Sequence, residues 1–326
     1  LHFMLSADDT AIYAAYNSGD LDYIDTVPND EISSLNGINP EFGILDNLGT
    51  YYIGFNVNDP IFDGKTEEEA AKMREAISLL VDRQFIVENV GQTGQIPADS
   101  FVPEGMADGN GGVFKTADTS YYDATATGAG ELETAKGLLE EAGYTFTDNG
   151  DGTYKVDPAI SMTYLTNDGT GHIAVAESIQ QDVSMLGINL EIKTEDWNVF
   201  LEDRKSGNFT LAREGWLADY NDPVNMLEIF TSDSGNNDMQ LGKGTPVSSS
   251  PDWTAYDALI DQIRTTTDFA ARVDLMHDAE DMLMDTWAVI PIYYYNDVYM
   301  QKSNVTGVYA TVFGMKYFMY ATKSAQ

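Results

Sequence analysis

Helical and extended hydrophobic patterns alternate along the whole of this chain, and that alternation restricts it to an α/β or mixed α+β fold. Asp8 or Asp9 can cap a first helix that carries Ile12, Ala15 and Tyr16 on one face and ends at Gly19. Residues 21–24 read as a strand, a short helix follows Pro28, and residues 51–57 read as a buried strand. Residues 67–80 predict a helix whose acidic first turn suits the positive end of the helix dipole. Asp82 can cap a shorter helix over 84–90, and residues 91–130, rich in Gly, Pro, Asp, Ser and Thr, predict a long ordered loop.

In the second half, residues 131–142 predict a helix closed by Gly143. The run from Asp148 to Gly152 predicts a hairpin turn rather than a calcium loop, because its acids do not fall at alternate positions. A strand over 161–166 leads into a helix with Ile173, Ala176, Ile179, Val183 and Leu186 in one stripe, and a strand to Ile192 follows. Residues 197–206 predict a helix and 209–214 a strand, whose alternation puts Phe209, Leu211 and Arg213 on one face. Helices over 256–265 and 268–285 come next, the second stacking Val273, Met276, Ala279, Leu283 and Trp287, and then an apolar strand over 288–295. At the other end, residues 1–5 read as the interior of a strand, as if cut from something longer.

Charge excludes some functions. Seventeen Lys+Arg against 53 Asp+Glu leave a formal net charge of −36, which repels phosphate backbones and anionic lipid, so no nucleic-acid partner is expected. The absence of cysteine removes disulfides, thiolate zinc sites and thiol catalysis. The 43% apolar content supports a sizeable core.

Few residues point to catalysis. His2, His172 and His277 are far apart and lack partners at metal-ligand spacing, so no metal or other cofactor is expected. His277, beside Asp278, reads as solvated, and His172 as a capping or exposed residue that could alternatively face a ligand. Gly242-Lys243-Gly244-Thr245 lacks the upstream glycine of a phosphate-binding loop, and no nucleophile elbow is present. Paired carboxylates could serve a carbohydrate-active enzyme, but nothing in the sequence supports one.

One segment stands apart, from Arg213 to Pro223. Gly215 permits close backbone approach, Trp216 supplies a flat apolar wall, and Asp219 places a carboxylate beside it. In a partly dry place that carboxylate needs a cation, and a ligand ammonium would serve. From the residues alone, a turn-capping role or a local lysine partner for Asp219 stays open.

The pattern Gly215-Trp216-x-Ala218-Asp219-Tyr220-x-x-Pro223, followed by Phe230-x-Ser232 and Asn236-Asn237, resembles the signature of periplasmic oligopeptide-binding proteins. These are the peptide and nickel class of solute-binding proteins that serve ABC importers. Phe55-Asn56 with Pro60, Phe62 and Asp63, Met73-Arg74-Glu75-Ala76 and Val81-Asp82-Arg83 are similar to the family's strand–loop–helix block. Ala135-Lys136, Leu138-Leu139 and Ala142-Gly143-Tyr144 match a family helix, and Leu186-Gly187-Ile188 and Pro291-Ile292-Tyr293-Tyr294-Tyr295 match in the same order.

The resemblance implies a mixed α+β, periplasmic-binding-protein-like type II lobe, truncated at the N-terminus. Residues 1–48 would close lobe I, 49–295 form lobe III, and 296–326 return to lobe I, with hinge crossings near Leu48 and Asn296. It implies a peptide receptor and not an enzyme. Asp219 would meet the peptide α-ammonium and Arg213 its C-terminal carboxylate, and the backbones of Gly215 and Leu217 would pair with the ligand main chain. Trp197, Trp216 and Tyr295 would wall side-chain pockets; from the residues alone, Trp197 and Tyr295 read as core. His172 falls about two positions later than the family's histidine, and Leu217 replaces a smaller residue, which narrows the pocket it borders. The implied protein is monomeric and extracytoplasmic, with an ABC permease as partner and a lipid anchor suited to its acidity. The same fold could instead take a sugar, haem, nickel or a signalling peptide, with nickel disfavoured by the scarcity of histidine.

Overall fold

The computed structural model describes residues 1–6, 8–244 and 247–325; Thr245, the last residue of the loop at Gly242, lies outside them. The principal strands are β1 (Tyr23–Ile24), β2 (Phe42–Phe55), β3 (Thr145–Asp148), β4 (Tyr154–Asp157), β5 (Ser161–Asn167), β6 (Asn189–Glu195), β7 (Leu211–Leu217) and β8 (Val289–Gln301). The helices are α1 (Asp9–Ser18), α2 (Asn29–Leu35), α3 (Glu67–Leu80), α4 (Arg83–Phe85), α5 (Leu132–Glu141), α6 (Thr170–Ser184), α7 (Trp197–Ser206), α8 (Val224–Leu227), α9 (Thr254–Thr265) and α10 (Phe269–Asp285).

Local chemistry sets the helix ends. Asp8 caps α1 by accepting from the Ala11 amide, and Gly19 closes it at φ 88°, where a side chain would be strained. Thr66 and Glu69 form a reciprocal capping box on α3, an arrangement worth about 1 kcal/mol. Asp268 accepts two amides at the start of α10. The predicted hairpin is present, with β3 and β4 antiparallel around the Asp148–Gly152 turn.

Six strands make one mixed sheet in the order β1-β8-β2-β7-β5-β6. The β5–α6–β6 unit is parallel, β5 also runs parallel to β7, and the remaining pairs are antiparallel. Alternation along β2 sends Tyr51, Ile53 and Phe55 into a core with residues of α3, α5 and α6, and Tyr52 into a second core with α9 and α10. Two layers of helix therefore sandwich the sheet, a mixed α/β architecture.

The strands at the centre are longer than their apolar stretches. β2 and β8 pair from Phe42–Met300 to Gly54–Val289, with an irregularity between Asp46 and Thr50. Several local expectations need correction. Residues 1–5 form no strand; Leu1 and Leu5 are exposed, and no strand among the described residues pairs with them. β7 begins at Leu211, so Phe209 leaves the shared face with Arg213 and packs on Leu165, Phe200 and Ala212. His277 is not simply solvated: its ring stacks on Phe114 at 4.0 Å between centroids, and burial holds its pKa below the usual value. Trp287 lies beyond the end of α10 at φ 51° and tilts against Tyr122 instead of extending the helix stripe.

Candidate functional site

The backbone of β7 has one edge filled and one edge open. Backbone bonds join Ala218 to Leu48 and Asn56 to Thr210 at the two ends of the β2–β7 ladder. In an antiparallel ladder bonded and non-bonded pairs alternate, so the pairs Thr50–Trp216 and Tyr52–Glu214 are bonded, whereas Ile53–Arg213, Tyr51–Gly215 and Gly49–Leu217 are not. The amides and carbonyls of Arg213, Gly215 and Leu217 therefore point away from β2. On that other side β5 pairs only with Leu211 and Ala212. From Arg213 to Leu217 no strand among the described residues occupies the edge.

A polar aromatic cluster sits beside this edge on the face that carries Tyr51. The Arg213 guanidinium lies 5.5 Å from the Tyr51 ring centroid and 5.9 Å from that of Trp197. Among the described residues no carboxylate lies within 4.0 Å of it, and its Nε is buried without a hydrogen-bond partner. A largely desolvated guanidinium in that condition gains more from an anionic partner than one in water does. Tyr293 stacks on Tyr51 at 4.7 Å, and Tyr295 meets both rings edge-on. Trp197 opens α7 and is 49% exposed, so it is a surface aromatic and not the core residue its type alone favours.

His172 joins the same cluster, which corrects the expectation of a capping or exposed side chain. Its Nδ1 lies 3.2 Å from the Tyr51 hydroxyl and its ring stacks against that tyrosine. Burial and the Arg213 charge push its pKa down to about 4, so the imidazole is neutral near pH 7. Sequence spacing hid this contact because Tyr51 is far upstream. The pairing of β2 with β7, and the entry of α6 beside it, bring the two together.

The opposite face of β7 is different. Glu214 is buried and paired with Arg204 at 2.9 Å, and burial pushes its carboxyl up to about 8. Arg204 also holds Asp238 at 2.8 Å. Trp216 packs on the second core, so the sheet itself separates it from Arg213 and Trp197.

Asp219 lies just past the end of β7, and its side chain is exposed on this chain rather than in a partly dry place. The strand has ended and nothing among the described residues covers the turn. Among the described residues no cationic nitrogen lies within 4.0 Å of its carboxylate; Arg272 is taken in a bidentate pair by Asp222. The loop is nonetheless well fixed. Ala218 is buried and bonded to Leu48, Asn221 accepts from the Ala107 amide, and the Tyr220 hydroxyl donates to Glu228. Asn225, which the sequence reading passed over, touches both Trp216 and Asp219. Leu217 is 42% exposed at the open edge. A cavity of about 650 Å³ elsewhere, bordered by Phe3, Tyr23 and Phe318, shares no residue with this cluster.

The mixed sheet thus presents a strand edge, uncovered among the described residues, between the Arg213 guanidinium and the Asp219 carboxylate. Residues 1–238 match the family described as "Bacterial extracellular solute-binding proteins, family 5 Middle", and the chain belongs to that family of binding proteins rather than enzymes. It is 32% identical to the dipeptide-binding protein DppE of Bacillus subtilis over 93% of this chain and 50% of the relative. With the oligopeptide-binding protein OppA of the same organism the identity is 31%, over 84% of this chain and 45% of that protein. The solved structure of Haemophilus influenzae OppA in complex with RPPGFSPFR superposes with a TM-score of 0.70 and 25% identity, covering 92% of this chain and 53% of that one. The chain spans about half the length of the curated relatives it matches. The described residues contain no helix long and apolar enough to cross a membrane.

Proposed function

We infer that this chain is the larger part of the ligand cleft of an extracytoplasmic receptor that hands oligopeptides to an ABC importer. The open β7 edge carries the reading. A peptide laid along it pairs its own backbone with Arg213, Gly215 and Leu217, which gives affinity with little demand on side-chain identity. Asp219 receives the peptide ammonium at the end of the strand and Arg213 receives the carboxylate, so the ligand runs antiparallel to β7. Trp197 and Tyr295 border side-chain pockets on the Tyr51 face, and Trp216 borders one on the other.

The exposure of Asp219 fits a cleft whose second wall lies in the remaining half of the full-length protein. The ladder irregularity between Asp46 and Thr50, opposite Tyr294 to Asn296, supports hinge crossings near Leu48 and Asn296, with lobe III between them. Closure about those points would dry the carboxylate and shift the population toward a closed form. The full-length receptor acts as a monomer, held at the membrane by a lipid anchor, and docks closed onto its permease.

Calorimetry with the full-length protein tests this. Acetylating the peptide N-terminus should weaken binding at least about tenfold, the loss of one charge-assisted contact. Equal affinity for free and acetylated peptides would remove Asp219 from its role.

A further inference from the structure

We propose that Asn225 is the positioning residue of the ammonium site, setting the direction of the Asp219 carboxylate and locking it to the Trp216 indole. This deepens the reading of Asp219 given above and rests on it. Asn225 sits on α8 and is 3% exposed. Its Oδ1 accepts from the Trp216 indole N–H at 3.2 Å and from the Asp219 backbone N–H at 2.8 Å. Two donors converging on one atom require that atom to be the amide oxygen, which leaves Nδ2 to donate. Nδ2 donates to Asp219 Oδ2 at 3.3 Å. One buried amide therefore binds the indole, the backbone and the carboxylate of the recognition loop together.

The consequence is directional. Asp219 Oδ2 is held by the amide, and Oδ1 has no hydrogen-bond partner among the described residues. An incoming ammonium finds the carboxylate already oriented and does not have to order an exposed side chain, so less entropy is lost on binding. Asn225 is itself held from below: its backbone N–H donates to the Asp222 carbonyl, and Asp222 is clamped by Arg272. Neutral asparagine supplies both an acceptor and a donor. Neither leucine, with no polar atoms, nor aspartate, with no donor when ionised, can do the same.

The test uses the full-length protein with trialanine, free and N-acetylated, titrated by calorimetry from pH 5 to 8, with near-UV circular dichroism to report folding. Asp219→Asn tests the underlying reading and should abolish the preference for the free peptide. Asn225→Leu should cut that preference by about tenfold, weakening the free peptide well beyond any loss the acetylated peptide suffers through the Trp216 indole. Asn225→Asp keeps both accepted bonds and so protects the fold, but sets a second carboxylate against Asp219. The pair should share a proton, and between about pH 5 and 7, below the range where the peptide amine itself deprotonates, free-peptide affinity should rise more steeply with pH than in the wild type. The charged neighbours Asp222 with Arg272 and Glu228 with Arg264 are paired in either protein, so they do not produce that difference. An equal loss for both peptides in Asn225→Leu, or wild-type behaviour in both Asn225 variants, overturns the positioning role. If Asp219→Asn leaves the preference intact, the ammonium reading itself fails, and Asn225 falls with it.

Discussion

Gly215 faces the Tyr295 phenol with no space for a methyl group between them: a Cβ at Gly215 would overlap Tyr295 Oη. The glycine is required by a neighbouring ring rather than by an unusual backbone angle. Gly215→Ala should cost about 1–3 kcal/mol in urea unfolding, the usual range for overpacking, and should weaken peptide binding by displacing Tyr295. Tyr295→Phe removes the overlapping oxygen and leaves the ring carbon behind it 3.2 Å from the new methyl. The double variant should therefore recover much of the lost stability, and a strictly additive double variant would show that the two residues do not meet.

Arg213 brings a guanidinium without a carboxylate to the aromatic cluster. Arg213→Gln should weaken the full-length protein's affinity for free-acid trialanine at least about tenfold and leave that for its C-terminal amide nearly unchanged. Paired titrations of acid and amide check this. A uniform loss would show that Arg213 supports the fold and not the ligand.

His172 should titrate late. Its folded pKa of about 4 lies below the unfolded value, so protonation opposes folding: the contribution is present above about pH 6.5 and is lost as pH falls through 4. The His172 ring resonances in NMR should keep their neutral positions down to about pH 5, whereas those of an unperturbed histidine move by half at about pH 6.5.

Glu280 runs the other way. Its buried carboxyl accepts the amides of Phe101 at 3.0 Å and Val102 at 2.7 Å, and burial raises its pKa to about 8. The folded protein holds a proton there that the unfolded chain has released, so stability falls as pH rises from about 4.5 to 8. Relative to Glu280→Gln, the wild type should lose up to about 1.4 kcal/mol per pH unit in that window, read by urea unfolding at successive pH values.

Much of the helical framework was legible because its signals are local. Asp8, Gly19 and the acidic first turn of α3 each act within a turn, and α3 and α7 span the residues their patterns predict. The central strands β2 and β8 were read short. Polar residues such as Asp46, Asn296 and Asp297 continue β2 and β8, and they do so because each strand supplies the other's backbone bonds. The same limit hid His172 against Tyr51 and gave Trp197 to the core.

From its order of residues alone, this chain determined its alternating elements, its family signature and the identities of Arg213, Gly215, Leu217 and Asp219 as the groups to watch. Only the tertiary structure decided that β5 leaves β7 after Ala212, so that no strand among the described residues covers the backbones of Arg213, Gly215 and Leu217, and that Asn225 reaches back to hold Asp219. Caps and hydrophobic periods act within a turn or two, where sequence distance equals spatial distance. An open edge is created by what a remote strand fails to cover, and nothing within a few residues of Gly215 encodes it.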